Sequence, residues 1–311
     1  MSRRVISVML MILLPLSGCG SANDAAGEHA VAAMETGLMR TTAYYASDGG
    51  LLVPVERRIP METADVAAAL SLLVPENTDD VRQKTPQLSA ALPKGVTFSA
   101  NVLPDGNAVI DVRSLGELDD AASERRAVEA IQLTALARPG VRAVALIFDG
   151  KARDTLPHGT PVSGAVAKVT VNCESVDEKL DASTQYTLTL WYLDKASACM
   201  IPVTRRVKKT PTAIMAVEEL LKGTSLPVAS PFPAEAVILT LTEKKGDVSL
   251  NFDKSFAEIA AEPDRKDAAL AALYCTLGEF SKIKTLSVYA DNTFLGTVSK
   301  QAVSAHARKL S

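Results

Sequence analysis

The sequence predicts an α+β fold: two tandem repeats of a ββαββαβ unit, each with its helices packed on one face of a sheet. Three repeated blocks carry that prediction. Tyr45 followed by Val53-Pro54-Val55-Glu56-Arg57-Arg58 returns as Tyr192 followed by Ile201-Pro202-Val203-Thr204-Arg205-Arg206, an offset of 148 at the proline. Leu92-Pro93 with Gly106-Asn107-Ala108-Val109-Ile110-Asp111 returns as Phe232-Pro233 with Gly246-Asp247-Val248-Ser249-Leu250-Asn251, at an offset of 140. Val141-Arg142-Ala143-Val144-Ala145-Leu146-Ile147-Phe148-Asp149 returns as Ile283-Lys284-Thr285-Leu286-Ser287-Val288-Tyr289-Ala290-Asp291, at 142. Three blocks in one order with nearly constant offsets mark a tandem duplication.

Ahead of the repeats, Arg3-Arg4, an apolar run from Val5 to Leu16 and Ser17-Gly18-Cys19 read as a lipoprotein signal over residues 1–18, too short to span a bilayer. The expected lipidation site is Cys19, whose acyl chains would anchor the protein in the membrane at about 0.8 kcal/mol per buried methylene. Residues 19–40 are small and polar at first and lack apolar periodicity, as a flexible tether does.

Each unit then opens on a hairpin. In the first unit, expected at 41–160, Thr42–Tyr45 turns through Ser47-Asp48-Gly49-Gly50 into Leu52–Ile59. In the second, expected at 169–300, Tyr186–Leu193 turns through Asp194-Lys195-Ala196 into Cys199–Val207. A helix follows. Thr63 can cap one that carries Val66, Ala69, Leu70 and Leu73, and Thr210-Pro211 can start one that carries Ile214, Val217, Leu220 and Leu221, ended by Pro75 and Lys222-Gly223.

A second hairpin pairs Thr97–Leu103 with Ala108–Arg113 around Pro104-Asp105-Gly106. Its counterpart pairs Val237–Glu243 with Asp247–Phe252 around Lys244-Lys245-Gly246. A long helix comes next, about Ser123–Ala137 and Pro263–Phe280, with Leu270, Leu273, Leu277 and Phe280 along one side of the later one. The last apolar strand ends at Asp149-Gly150 or Asp291-Asn292, a turn that can send out a short terminal strand. The first copy is longer, and its extra residues, about Asn77–Lys84, are polar enough for a surface loop. Leu156–Gly164, rich in proline and glycine, reads as the linker, with the boundary near 160–168, and 301–311 as a tail.

Composition narrows function. A net charge of −3 is at odds with a nucleic-acid partner, which needs a basic face, and 5% aromatic residues provide no stacking platform. Cys173, Cys199 and Cys275 all fall in the second copy, where two could form a disulfide or all remain free thiols; their spacing matches no metal-ligand motif. The histidines, His29, His158 and His306, lie outside strongly patterned elements, so no nucleophile–histidine set is read. The nearest approach to catalytic chemistry is a set of carboxylates near strand ends, Asp111, Asp253 and Glu258, but acidic residues there are usually solvated or cap a loop. Adjacent strand residues point to opposite faces, so one of Arg57 and Arg58, and one of Arg205 and Arg206, should face inward. The guanidinium would then pair with a carboxylate or contact a neighbouring module. Trp191, the single tryptophan, reads as core or inter-unit packing.

The Tyr…Pro-Val-x-Arg-Arg opening, the helix with Leu-Leu, the hairpin Gly-(Asn/Asp)-x-Val-x-(Ile/Leu)-(Asp/Asn) and the apolar strand ending at Asp resemble the sporulation and spore germination domain called GerM. The resemblance implies modules similar to ring-building motifs, which assemble side by side, and a non-enzymatic lipoprotein without cofactor. It implies a scaffold in the envelope-spanning complex of mother cell and forespore, with sporulation membrane proteins or further copies of itself as partners. The location implied is the outer face of the cytoplasmic membrane, and during sporulation the space between the two membranes around the forespore. The same domain occurs in lipoproteins of bacteria that do not sporulate, so a ligand-binding or peptidoglycan-associated envelope role is the alternative. Two departures stand out: Asp111 faces Asn251 in the repeat alignment, and Arg113 interrupts the apolar ending seen at Phe252.

Overall fold

Parallel strands need a crossover connection, and in both copies the long helix supplies it. The structure, a computed structural model, describes residues 37–61, 65–174, 186–194 and 199–300, and the described residues from Met39 onward form one compact unit. The predicted signal, most of the tether, Cys19, His29, Thr63 and the C-terminal tail with His306 lie outside the described residues.

The first copy runs β1 (Leu38–Ser47), β2 (Leu52–Pro60), α1 (Val66–Ser71), α2 (Asp79–Lys84), β3 (Leu88–Ser89), β4 (Thr97–Val102), β5 (Asn107–Arg113), α3 (Ala121–Leu136), β6 (Ala143–Phe148) and β7 (Ala165–Val166). The second runs β8 (Tyr186–Asp194), β9 (Met200–Val207), α4 (Ala213–Leu221), β10 (Val228–Ala229), β11 (Ile238–Lys244), β12 (Asp247–Phe252), a 3-10 helix (Lys254–Ala261), α5 (Pro263–Gly278), β13 (Thr285–Ala290) and β14 (Thr293–Ser299).

The strands of each copy divide between two sheets: β2-β1-β3 with β4-β5-β6-β7, and β10-β8-β9 with β11-β12-β13-β14. The inner pairs β5–β6 and β12–β13 are parallel and their neighbours antiparallel. Helix α5 lies against β8 of one sheet and β13 and β14 of the other, so the core fills the space between the sheets. Ile131 on α3 and Leu273 on α5 are fully buried there, each worth about 2–3 kcal/mol of removed apolar surface.

The turn glycines Gly106 and Gly246 serve two purposes. Both have φ near +90°, at 88° and 89°. A Cβ on Gly106 would also stand 2.9 Å from the Gly140 carbonyl oxygen, and one on Gly246 2.8 Å from that of Lys282. That close approach lets each glycine carbonyl accept from the strand entering the parallel pair, from Arg142 N–H at 2.8 Å and Lys284 N–H at 2.7 Å.

Several elements differ from the sequence reading. Asp65 caps α1, its carboxylate accepting from Ala68 N–H. Thr212, not Thr210, caps α4, its hydroxyl accepting from Met215 N–H, so Pro211 precedes the cap and Ile214 points to solvent. Phe280 likewise lies beyond the end of α5 and is exposed. The polar stretch Asn77–Lys84 is no loop: it holds α2, with acids Asp79 and Asp80 first, Arg82 and Lys84 last, and Val81 buried. One apolar residue in a six-residue helix cannot show a period. The Leu156–Gly164 linker is tied down. Leu156 and Val162 are buried, and the loop hangs from the Glu124 carboxylate, which accepts from His158 and Thr160 N–H at 2.9 Å each. Finally, the register sets Phe252 opposite Ala290 and Val112 opposite Phe148, so the counterpart of Phe252 is Val112 and Arg113 falls just past the apolar ending.

Candidate functional site

Alternation along β2 and β9 turns Arg57 and Arg205 inward, with side chains 13% and 15% exposed, and leaves Arg58 exposed. Each inward arginine meets a buried tyrosine of the neighbouring strand, Tyr45 on β1 or Tyr192 on β8. The two copies satisfy the guanidinium differently.

In the second copy all five N–H donors are used. Nε and Nη2 of Arg205 grip Glu174 bidentately at 2.6 and 2.9 Å. Nη1 donates to the Glu219 carbonyl at 2.6 Å and its carboxylate at 3.0 Å, and Nη2 also donates to the Gly223 carbonyl. The Tyr192 hydroxyl shares its one hydrogen between the Leu220 and Gly223 carbonyls, at 3.2 and 3.1 Å, closing the end of α4. Lys222 offsets the second carboxylate through Glu219 at 2.5 Å. Burial raises the Glu174 carboxyl, but the Arg205 donors outweigh it and hold it below the usual range.

In the first copy Arg57 makes two side-chain hydrogen bonds, Nη1 to the Tyr45 hydroxyl and Nη2 to Asp80 at 3.0 Å. The Asp80 carboxylate comes from α2 and is 61% exposed. Burial lifts both tyrosines to about 12, ahead of the lowering by their arginines.

The second feature is the junction between the copies. Val171–Glu174 lies along β9, with Cys173 bridged in parallel to Thr204. Thr204 N–H and hydroxyl both donate to the Val171 carbonyl, and Glu174 N–H donates to the Thr204 carbonyl. Within this stretch Asn172 adopts φ +46°, which asparagine tolerates better than most side chains. Its Oδ1 accepts from Leu52 N–H at 2.7 Å. Its Nδ2 donates at 2.8 Å to the Leu52 carbonyl and at 2.8 Å to the Pro202 carbonyl. One side chain thus joins β2 of the first copy to β9 of the second, and those strands pack on each other. Beside it, a Cβ on Gly49 would stand 3.1 Å from Pro227 Cγ, so the first hairpin turn also abuts the second copy.

The remaining candidates are dispersed. Asp111 accepts from Gly150 N–H and pairs with Arg113, holding the turn after β6, while Asn251 does the same for the later turn through Asn292. Asp253 accepts from Val237 N–H and Ser255 Oγ, and Glu258 pairs with Arg265. These carboxylates anchor chain locally and do not converge. Trp191 donates its indole N–H to Glu279 within the second copy. Cys173, Cys199 and Cys275 form no disulfide among the described residues. Cys173 lies against Thr204 on β9, five residues along the chain from Cys199, which immediately precedes that strand, about 16 Å at strand rise and far beyond disulfide reach. Among the described residues no group of three His, Cys, Asp or Glu side chains is placed to hold a metal ion, and no helix is long and apolar enough to cross a membrane. Sequence reasoning found both arginines but missed Asn172 and Glu124, whose roles rest on φ and on contacts 120 and 34–36 residues distant.

Comparison with known proteins fits this geometry. A family model described as Germane, sporulation and spore germination, matches residues 42–154 and 189–296. Among solved structures, the tandem GerMN domains of the sporulation protein GerM from Bacillus subtilis superpose with a TM-score of 0.67 at 22% identity, covering 85% of this chain and 98% of that one. The first GerMN domain of the same protein matches with a TM-score of 0.39 at 20% identity, over 42% of this chain and 98% of that one. No curated protein matches the sequence.

Proposed function

We propose a function from one premise: the chain belongs to the Germane family, sporulation and spore germination, and carries its domain twice. On our reading it is a non-enzymatic lipoprotein, anchored through Cys19 on the outer face of the cytoplasmic membrane. It acts there as an assembly component of the envelope complex between mother cell and forespore. The observation that carries this reading is the junction at Asn172, which makes two copies one body. A joined pair meets its neighbours with a fixed set of surfaces, as a scaffold requires, whereas two independently moving domains would suit capture of separate ligands. The edge strands β4 and β11 bring exposed Val102 and Leu239 to those surfaces.

The test is time-lapse imaging of the source organism through sporulation, with the gene deleted or replaced by a fluorescent fusion. Enrichment at the engulfing septum, defective forespores in the deletion and loss of both localisation and rescue in Cys19→Ser are expected. A fusion spread over the whole envelope with normal spores in the deletion would overturn the spore role and favour a general envelope lipoprotein.

A further inference from the structure

The two arginine sites are duplicates that have diverged in one respect. Arg205 has its five donors filled by its own chain, with Glu174 on the Nε/Nη2 edge. Arg57 uses one donor on Tyr45 and one on Asp80, and among the described residues its Nε–H has no partner. A cleft of about 420 Å³ opens beside it, lined by Val55, Arg57, Arg58, Asp80 and Lys84. Glu56, also on its wall, is engaged by Arg40 at 3.3 Å. Asp80, an exposed carboxylate, thus touches Arg57 through a single Nη2, with Arg58 also on the wall of the cleft.

We infer that this cleft is a carboxylate-binding site of the first copy, in which an external carboxylate takes on Arg57 the bidentate place that Glu174 takes on Arg205. A planar guanidinium fork whose Nε–H has no partner among the described residues, and whose Nη2 is held only by exposed Asp80, matches a carboxylate better than a spherical anion, and the second copy displays the bound geometry. Asp80 is then a weak internal competitor that swings aside. The carboxylate could come from a small free acid or from an acidic residue of a protein partner.

The test uses the full chain, titrated with succinate and, separately, with N-acetyl-Gly-Glu-Gly-amide, against sodium chloride at matched ionic strength. Calorimetry reads affinity, and nitrogen-15 NMR reads the Nε–H resonances of Arg57 and Arg205. Saturable binding on the order of millimolar is expected, shifting Arg57 and leaving Arg205 unmoved. Asp80→Asn, an exposed change that leaves the core untouched, should tighten binding about two- to fivefold, the worth of an exposed ion pair. Equal affinities for the two probes identify a small acid as the ligand; a tenfold preference for the peptide identifies a partner's acidic residue. An equal shift with chloride, an equal shift of Arg205, or no saturable binding in Asp80→Asn overturns the site. Because the readout is binding to purified protein, its failure leaves the spore role untouched.

Discussion

Asn172 takes both backbone hydrogen-bonding groups of Leu52, accepting its N–H at 2.7 Å and donating to its carbonyl at 2.8 Å, across 120 residues of sequence. The side chain stands in for a strand between β2 and β9. Asn172→Ala leaves Leu52 N–H and two carbonyls buried without partners and places alanine at positive φ, so it should cost about 2–4 kcal/mol. Asn172→Asp keeps one acceptor but faces two carbonyls with an oxygen, and should be no better. Asn172→Gly keeps the backbone conformation and isolates the side chain's share. Denaturant melts, with NMR relaxation to detect independent tumbling of the copies, check each.

The asymmetry of the arginines predicts an asymmetry of cost. Arg205→Ala strands the Glu174 carboxylate and the end of α4, while Glu219 keeps Lys222, a loss of about 3–5 kcal/mol. Arg57→Ala removes a pair with a solvent-exposed Asp80 and a contact on Tyr45, about 1–2 kcal/mol. Thermal melts of the two variants should differ clearly, and equal losses would show that Asp80 holds Arg57 as firmly as Glu174 holds Arg205.

Two glutamates on α3 respond oppositely to pH. Burial raises Glu124, but the His158 and Thr160 N–H donors outweigh it and hold the carboxyl below its ordinary 4.5. Its stabilisation is present above that value and is lost as pH falls through the depressed one, releasing the Leu156–Gly164 loop. Burial lifts Glu129 to about 7 against the lowering by Arg125. Its folded form holds a proton that the unfolded chain has lost, so stability declines as pH rises from about 4.5 to about 7. Glu129→Gln should therefore be neutral near pH 4.5 and stabilising by about 1–2 kcal/mol above pH 8, after screening by solvent at this partly exposed group. Melts from pH 3 to 9 of wild type, Glu124→Gln and Glu129→Gln separate the effects.

Much of the fold was legible because it was written twice. Pro263 begins α5 where proline fits a first helical turn, and Gly106 and Gly246 turn their hairpins as read. What escaped was short or remote. Strands β3 and β10 have two residues each and no periodicity to detect. Thr210-Pro211 made a better start signal than Thr212, yet the Thr212 hydroxyl reaches Met215 N–H at 3.2 Å. At the candidate site, strand alternation turned one arginine of each pair inward, whereas Glu174, Glu219 and Asp80 reach it from segments whose approach only the folded chain fixes.

Thr134 and Thr276, fully buried on α3 and α5, perform one task in the two copies. Their hydroxyls accept from Tyr44 N–H at 3.2 Å and Trp191 N–H at 3.0 Å, groups on β1 and β8 before the short strands β3 and β10 begin to pair. Threonine to valine keeps the shape and removes the acceptor, so each change should cost about 1–3 kcal/mol, and threonine to serine less. Faster amide exchange at Tyr44 or Trp191 in the matching valine variant would locate the loss.

The parallel pairs exchange bulk between copies: Val112 faces Phe148 where Phe252 faces Ala290, and all four are buried. Each pair sets one large residue against one small at the same register, so the sum is kept while its distribution moves. Val112→Phe alone crowds Phe148 and should cost about 1–3 kcal/mol. Phe148→Ala alone opens a cavity costing about 3–5 kcal/mol. The double variant rebuilds the second copy's arrangement and should lose less than the two costs added, a favourable coupling that a double-mutant cycle measures directly. Recovery should stay incomplete, because Phe252 also stacks on Phe256 of the 3-10 helix, at 3.8 Å between ring centres. The first copy has no such helix between β5 and α3. Additive losses would show that the two sheets accommodate bulk through surroundings that have diverged beyond these four positions.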